Sequence, residues 1–259
     1  MNFFTNKKTL LFLILGSFFV TNALIAEFIG VKLFSLEESL GITPFDMKIF
    51  GQSGLSFNLT AGVLLWPVVF IITDIINEYF GRRGVRLLSF LAAGLIAYAF
   101  FAVTLSIRLP GADFWILRDT ADGQINMDHA YNAIFGQGAW IIIGSLIAFL
   151  LGQFLDAFVF YKVKKITGDK HIWLRATGST VISQFIDSFV VLLIAFYLGP
   201  AHWAFGLVLA IGLVNYMFKL SAAIILTPVI YLLHYLIDSY LGTELALKMK
   251  LAAMGEKEN

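Results

Sequence analysis

Apolar residues fall in six long stretches, at about 9–29, 57–80, 85–107, 137–161, 174–198 and from 203 to about 228. Each approaches or exceeds the roughly 20 residues that a helix needs to cross a bilayer core of about 30 Å. The pattern predicts an all-α integral membrane protein, one transmembrane domain over 1–259 with six transmembrane helices. Segment 31–56, with Glu37, Glu38, Pro44 and Asp46, is too polar to span and reads as an extracytoplasmic hairpin or re-entrant segment. Segment 108–136, rich in Asp113, Asp119, Asp122 and Asp128, reads as an extracytoplasmic loop. Pro228 kinks or ends the sixth span, and 238–259 follows as a cytoplasmic tail.

Polar residues inside the apolar stretches change this picture most. In Trp66 to Gly81, W-P-V-V-F-I-I-T-D-I-I-N-E-Y-F-G, positions 70, 73, 74, 77 and 78 share one helical stripe, so Thr73, Asp74, Asn77 and Glu78 face one way. The fourth span carries Gln153 and Asp156 at i,i+3, and the fifth carries Thr180, Ser183, Gln184 and Asp187 on one face. A carboxylate within a spanning helix costs at least about 2.5 to 3.5 kcal/mol on insertion scales, which points to function. G-Q-F-L-D-A-F-V from Gly152 and S-Q-F-I-D-S-F-V from Ser183 resemble each other on spans that run in opposite directions. That is a faint inverted repeat of the kind that flanks transporter sites.

Charge sets the orientation. With the N-terminus inside, the inner segments hold thirteen Lys or Arg residues (7, 8, 82, 83, 86, 162, 164, 165, 170, 175, 248, 250 and 257) and the outer ones four (32, 48, 108 and 118). The positive-inside rule then places both termini in the cytoplasm. Lys219 is left as the one base expected at bilayer depth, a candidate counter-ion to Asp74, Glu78, Asp156 and Asp187. Glu78 also has Arg82 and Arg83 as candidate partners at the interface. At about 1.5 Å per residue the four acids lie roughly 6 to 18 Å from the basic ends of their helices, so they can meet in one cavity.

The chain has no cysteine, which excludes disulfides and thiolate chemistry, and its four histidines are too scattered for a metal motif. No metal and no cofactor is expected. A net charge of +1 gives no support for nucleic-acid binding. Carboxylates and amides together suit a flat, hydrogen-bonding solute: a carboxylate accepts the two parallel N–H groups of a guanine-like edge, and Gln both donates and accepts. Trp66, Phe70 and Phe154 are candidates to stack on such a ring. Asp74 and Asp187 are the candidate proton-coupling groups.

These motifs resemble the VUT or YhhQ-like family of queuosine-precursor transporters. The resemblance rests on the Trp66 to Gly81 stretch, on G-S-L-I-A-F-L-L-G-Q-F-L-D ending at Asp156, on W-L-R at 173–175 and on S-T-V-I-S-Q-F-I-D-S-F from Ser179. It covers roughly 61–196. It implies a multi-pass bacterial inner-membrane importer of 7-deazaguanine precursors of queuosine, the nitrile or aminomethyl form, supplying tRNA modification. Asp74, Asn77, Glu78, Gln153, Asp156, Gln184 and Asp187 sit on the matching motifs as substrate-binding candidates. The residues themselves also admit a substrate-binding subunit that works with an energy-coupling ATPase, a homodimer, or a membrane-embedded hydrolase using paired aspartates. The hydrolase reading lacks a catalytic dyad motif.

Overall fold

The computed structural model describes residues 6–121, 123–136, 138–168 and 172–255. Asp122, Gln137, Lys170, His171 and Lys257, which entered the sequence reading, lie outside the described residues. The protein is an all-α membrane protein with three short strand pairs. Among the described residues five helical runs are long and apolar enough to cross a membrane: Lys7–Ile29, Trp66–Ile107, Met127–Thr167, Trp173–Leu198 and Phe205–Ile225.

Helix α1 (Lys7–Ile29) starts at Asn6, whose side chain accepts from the backbone N–H groups of Lys8 and Thr9. Segment 31–56 and the residues that follow it form two antiparallel strand pairs. Strand β1 (Leu33–Ser35) leads into the single turn α2 (Leu36–Ser39), and the hairpin β2 (Met47–Ile49)/β3 (Gln52–Leu55) returns the chain to β4 (Asn58–Thr60), which pairs with β1. Glu37 closes this unit by accepting from the Phe57 N–H at 2.8 Å.

The next helix, α3 (Trp66–Ile107), has Pro67 in its first turn, where a missing N–H costs nothing. Its 42 residues are too many for one crossing, and Gly81, with φ 66° and ψ −176°, breaks it. That backbone region is essentially open to glycine alone. A Cβ on Gly84 would stand 3.2 Å from a methyl of Ile76, so the chain doubles back and the limbs 66–80 and 82–107 form a helical hairpin. The apolar stretches read at 57–80 and 85–107 fall on these limbs, except that 58–64 forms β4 and a short 3-10 turn.

After α3 come one turn, α4 (Asp113–Ile116), the hairpin β5 (Leu117–Thr120)/β6 (Gly123–Asn126), and α5 (Met127–Phe135). Helices α6 (Ala139–Thr167) and α7 (Ile172–Leu192) are antiparallel: Gly144 lies beside Val191 and Gly152 beside Ser183 and Asp187. Having no side chain there lets the two backbones approach closely, as small residues do in membrane bundles. A wide turn at Leu193–Leu198 follows, then α8 (Phe205–Ile225). Pro228 stops α8 from continuing and opens α9 (Thr227–Leu241), which leads to α10 (Thr243–Met254).

The residues read as a tail fold back. Ala246 and Met249 of α10 are buried with Leu11, Ile75 and Tyr79. At this basic end of the bundle Tyr79 donates to Asp238 at 2.7 Å, and Lys250 donates to the same carboxylate at 2.8 Å. The larger core joins α1, both limbs of α3 and α6 through Phe19, Val69, Leu88, Ala92 and Phe149.

Candidate functional site

The stripe on the first limb of α3 faces α6 and α7, and all of its polar members are buried. Thr73 donates to Gln153 Oε1 at 2.8 Å, and Asn77 donates to the Ala157 carbonyl at 3.0 Å, so each satisfies a group across the α3–α6 contact. Asp74 lies within hydrogen-bonding reach of Asp156, which also accepts from the Ser183 hydroxyl at 3.1 Å. Six of the seven residues singled out in the sequence therefore pack in one region, with Gln184 at its α7 edge. Asp187 lies farther along α7 and pairs with Lys219 of α8.

Two expectations are corrected here. Lys219 is not the one base facing the acids. Lys164, 2% exposed, and Arg175, 1% exposed, reach Glu78 at 3.2 and 2.8 Å, and Glu78 itself is fully buried. Lys164 had been placed in a basic loop, but α6 stays helical to Thr167, which turns this residue inward. Nor does Glu78 pair with Arg82 or Arg83: the turn at Gly81 sends both outward, and the Arg82 guanidinium lies 4.1 Å from the centre of the Tyr161 ring. Lys164 also donates to the Glu78 carbonyl at 2.9 Å, and Arg175 to the Gly168 carbonyl at 2.6 Å, so the ion triad ties α3, α6 and the start of α7 together.

In front of this network lies a narrow cleft between the first limb of α3 and helices α7 and α8, with a cavity of about 30 Å³. Trp66, Phe70 and Asp74 form one wall; Thr177, Thr180 and Gln184 form the other; Lys219 closes the side. Asp74 Oδ1 and Gln184 Nε2, like Gln153 Nε2 and Asp156 Oδ2 behind them, are buried with no hydrogen-bond partner among the described residues, which in a native structure asks for a ligand or water. Asn77, Glu78, Gln153 and Asp156 stand behind this wall and do not line the cleft. Phe154 is also elsewhere, against Phe90 with ring centres 5.2 Å apart.

Sequence reasoning missed a further acid. Glu27, near the end of α1, is buried and accepts a short hydrogen bond from Ser145 of α6. Its signal was present, since it is the one acid within the run 9–29. Arg175 left a fainter one, within W-L-R.

A bundle of membrane-length helices, with a stripe of buried acids and amides beside an aromatic-walled cleft, defines a polytopic membrane protein. Residues 60–233 match the family described as "Putative vitamin uptake transporter", and the chain belongs to that family. It is similar to a Bacillus subtilis protein named "Probable queuosine precursor transporter", at 31% identity over 68% of this chain and 72% of the relative. A Haemophilus influenzae protein of the same name is 28% identical over 71% and 73%, and the Escherichia coli "Queuosine precursor transporter" is 25% identical over 66% and 70%. No solved structure matches the chain. The family is one of transporters, not enzymes, which removes the hydrolase reading, and the membrane-length helices of this chain make it a multi-pass inner-membrane protein.

Proposed function

We propose that the protein imports 7-deazaguanine precursors of queuosine across the bacterial inner membrane, and that the base binds in the cleft between α3, α7 and α8. The observation that carries this reading is the pair of unpartnered buried atoms in one cleft, an acceptor on Asp74 and a donor on Gln184. They complement a ring edge that donates through N1–H and a 2-amino group and accepts through a carbonyl. Trp66 and Phe70 provide apolar faces for the ring, and the names of the relatives supply the substrate class.

In this reading Asp74 and Gln184 touch the base, and Asp187 with Lys219 holds the far side of the cleft. Asn77, Glu78, Gln153 and Asp156 position Asp74 from behind. The six-span arrangement with both termini cytoplasmic fits the two limbs of α3 and the basic residues gathered around Gly81 and the α6–α7 junction. Helices α9 and α10 then cover the cytoplasmic end.

The test is accumulation of radiolabelled aminomethyl or nitrile 7-deazaguanine by purified protein in liposomes. Uptake of unchanged solute supports a self-sufficient transporter. Binding without uptake supports instead a substrate-binding subunit awaiting an energy-coupling ATPase. Absence of binding refutes the assignment.

A further inference from the structure

The second limb of α3 and the facing part of α6 change character together along their length. From the Gly81 turn inward, α3 presents Arg82, Arg86 and Phe90 at four-residue spacing, hence on one face. Opposite them α6, running the other way, presents Lys165, Tyr161, Phe158 and Phe154 in the same progression from charged to apolar. The contacts pair these levels: Arg82 and Lys165 both lie over the Tyr161 ring, at 4.1 and 4.9 Å from its centre, and Phe90 meets Phe154 farther in. At about 1.5 Å per residue, Arg82 to Phe90 covers roughly 12 Å, enough to cross the headgroup layer and enter the hydrocarbon.

Two hollows lie along this face and share two residues. An open pocket of about 430 Å³ is lined by Arg82, Arg83, Arg86 and Tyr161 together with Ala252 and Ala253 of α10. A groove of about 210 Å³ is lined by the same Arg82 and Arg86 with Phe154, Ala157 and Phe158. The two arginines thus stand at the boundary between a cationic pocket and an apolar groove. Leu87, Phe90 and Phe158 are exposed, so the groove belongs to the surface that meets lipid.

This arrangement selects one chemistry. A guanidinium donates through a planar fork that matches phosphate oxygens, and basic pockets between spanning helices at a membrane surface take anionic lipid headgroups. A soluble anion would leave the apolar groove without an occupant, and an apolar solute would leave the arginines without one. A zwitterionic lipid would bring its ammonium group against three cations.

We propose that the Gly81 turn and the face that starts there bind one anionic glycerophospholipid, its phosphate held by Arg82, Arg83 and Arg86 and an acyl chain lying along Phe154 and Phe158. The site is separate from the cleft beside Asp74 and does not depend on what that cleft carries.

The test titrates the purified full-length protein in uncharged detergent with dioleoyl phosphatidylglycerol, dioleoyl phosphatidylethanolamine and glycerol 3-phosphate, and counts bound molecules by native mass spectrometry. One phosphatidylglycerol should bind at least about tenfold more tightly than either of the other two. Arg86→Gln should weaken it about fivefold, and Arg82→Gln combined with Arg86→Gln about thirtyfold, from the loss of one and two cationic contacts. Lys248→Gln, on α10 but outside both hollows, should leave it unchanged. Equal affinity for the two lipids, or equal losses in Lys248→Gln and Arg86→Gln, would mean diffuse surface charge and overturns the site. Glycerol phosphate binding as tightly as the lipid overturns the lipid as occupant. The competing occupant is the chain's own end: Glu256 and Glu258 follow Gly255, which lines the pocket, and lie outside the described residues. A gain in lipid affinity of more than about tenfold when both are changed to Gln would assign the pocket to that end instead. The three arginines are exposed, so their variants keep the core intact; should the double variant fail to fold, Arg86→Gln decides.

Discussion

Glu78→Gln isolates the ion triad at the junction of α3, α6 and α7. The substitution keeps the shape of the side chain and removes a carboxylate that holds Lys164 and Arg175, both inside the protein. Breaking a buried pair by removing one partner costs about 3–5 kcal/mol, because the remaining charge has lost its solvent and its counter-ion. Here the cations keep backbone carbonyls, those of Glu78 and Lys250 for Lys164 and that of Gly168 for Arg175, which pulls the expectation to the lower end, about 3 kcal/mol. That corresponds to roughly a hundredfold in the folding equilibrium. Had Glu78 paired with Arg82 at an exposed helix end, the cost would be about 0–1 kcal/mol. The two cases are therefore separable.

The assay is unfolding in mixed micelles followed by tryptophan fluorescence, for the wild type, Glu78→Gln, Lys164→Met and the double variant. In the double variant one stranded cation is gone, so the two losses should fall short of additivity by at least about 1 kcal/mol. A loss below about 1 kcal/mol for Glu78→Gln, or strict additivity with Lys164→Met, would refute the buried triad.

Gly81→Ala should cost about 1–3 kcal/mol in the same assay, since alanine resists the backbone region Gly81 occupies and its Cβ would meet the Ala253 carbonyl at 3.1 Å; a neutral result would mean that the hairpin of α3 does not need that turn. Gln184→Ala removes one ligand hydrogen bond worth about 1 kcal/mol, so KM for uptake should rise roughly fivefold with stability unchanged. Asp187→Asn should abolish uptake while the protein still inserts, because it strands Lys219 at the side of the cleft, and normal transport by this variant would rule out an essential role. His234, on α9 outside the spans, has its imidazole pushed down to about 3 by burial and then by the nearby Lys250. Between pH 6.5 and 3 the unfolded chain takes up a proton that the folded one refuses, so this contribution is complete above 6.5 and is lost as pH falls. At pH 5 the loss is about 2 kcal/mol, and His234→Gln should remove that share of the acid sensitivity of the melting curve.

What could be read along the chain was whatever depends on one helix at a time. The stripe through Thr73, Asp74, Asn77 and Glu78 and the pairs Gln153/Asp156 and Gln184/Asp187 follow from spacing alone, and the structure brings all of them but Asp187 to one junction. What could not be read depends on how far a helix continues and on which face a long side chain takes. Lys164 looked like part of a basic loop because K-V-K-K lies where the apolar run ends; only the persistence of α6 to Thr167 turns it inward. The reversal between the stretches at 57–80 and 85–107 was legible from the arginines that separate them; that Gly81 alone makes it, with no loop between the limbs, was not, because a positive φ leaves no mark in the hydrophobic pattern. Which polar side chains face open space and which face each other was hidden as well, since both kinds share one helical periodicity.

The two similar octapeptides on α6 and α7 show how that last distinction arises. Because the helices are antiparallel and touch at Gly152, Ser183 and Asp187, their Gln/Asp pairs sit at similar heights with opposite sense. The neighbour of each pair then decides its role. On α6, Gln153 Oε1 accepts from Thr73 and Asp156 Oδ1 from Ser183, so α3 and α7 each engage one oxygen of the pair and hold it behind the cleft wall. On α7, α3 is held away by the cleft, Gln184 lines that cleft, and Asp187 turns to α8 for Lys219. One sequence pattern thus yields a framework on one helix and a solute-facing wall on the other. The asymmetry makes a concrete demand: exchanging Gln153 for Ala should lower stability by leaving the buried Thr73 hydroxyl without its α6 partner, whereas the same change at Gln184 should act on transport.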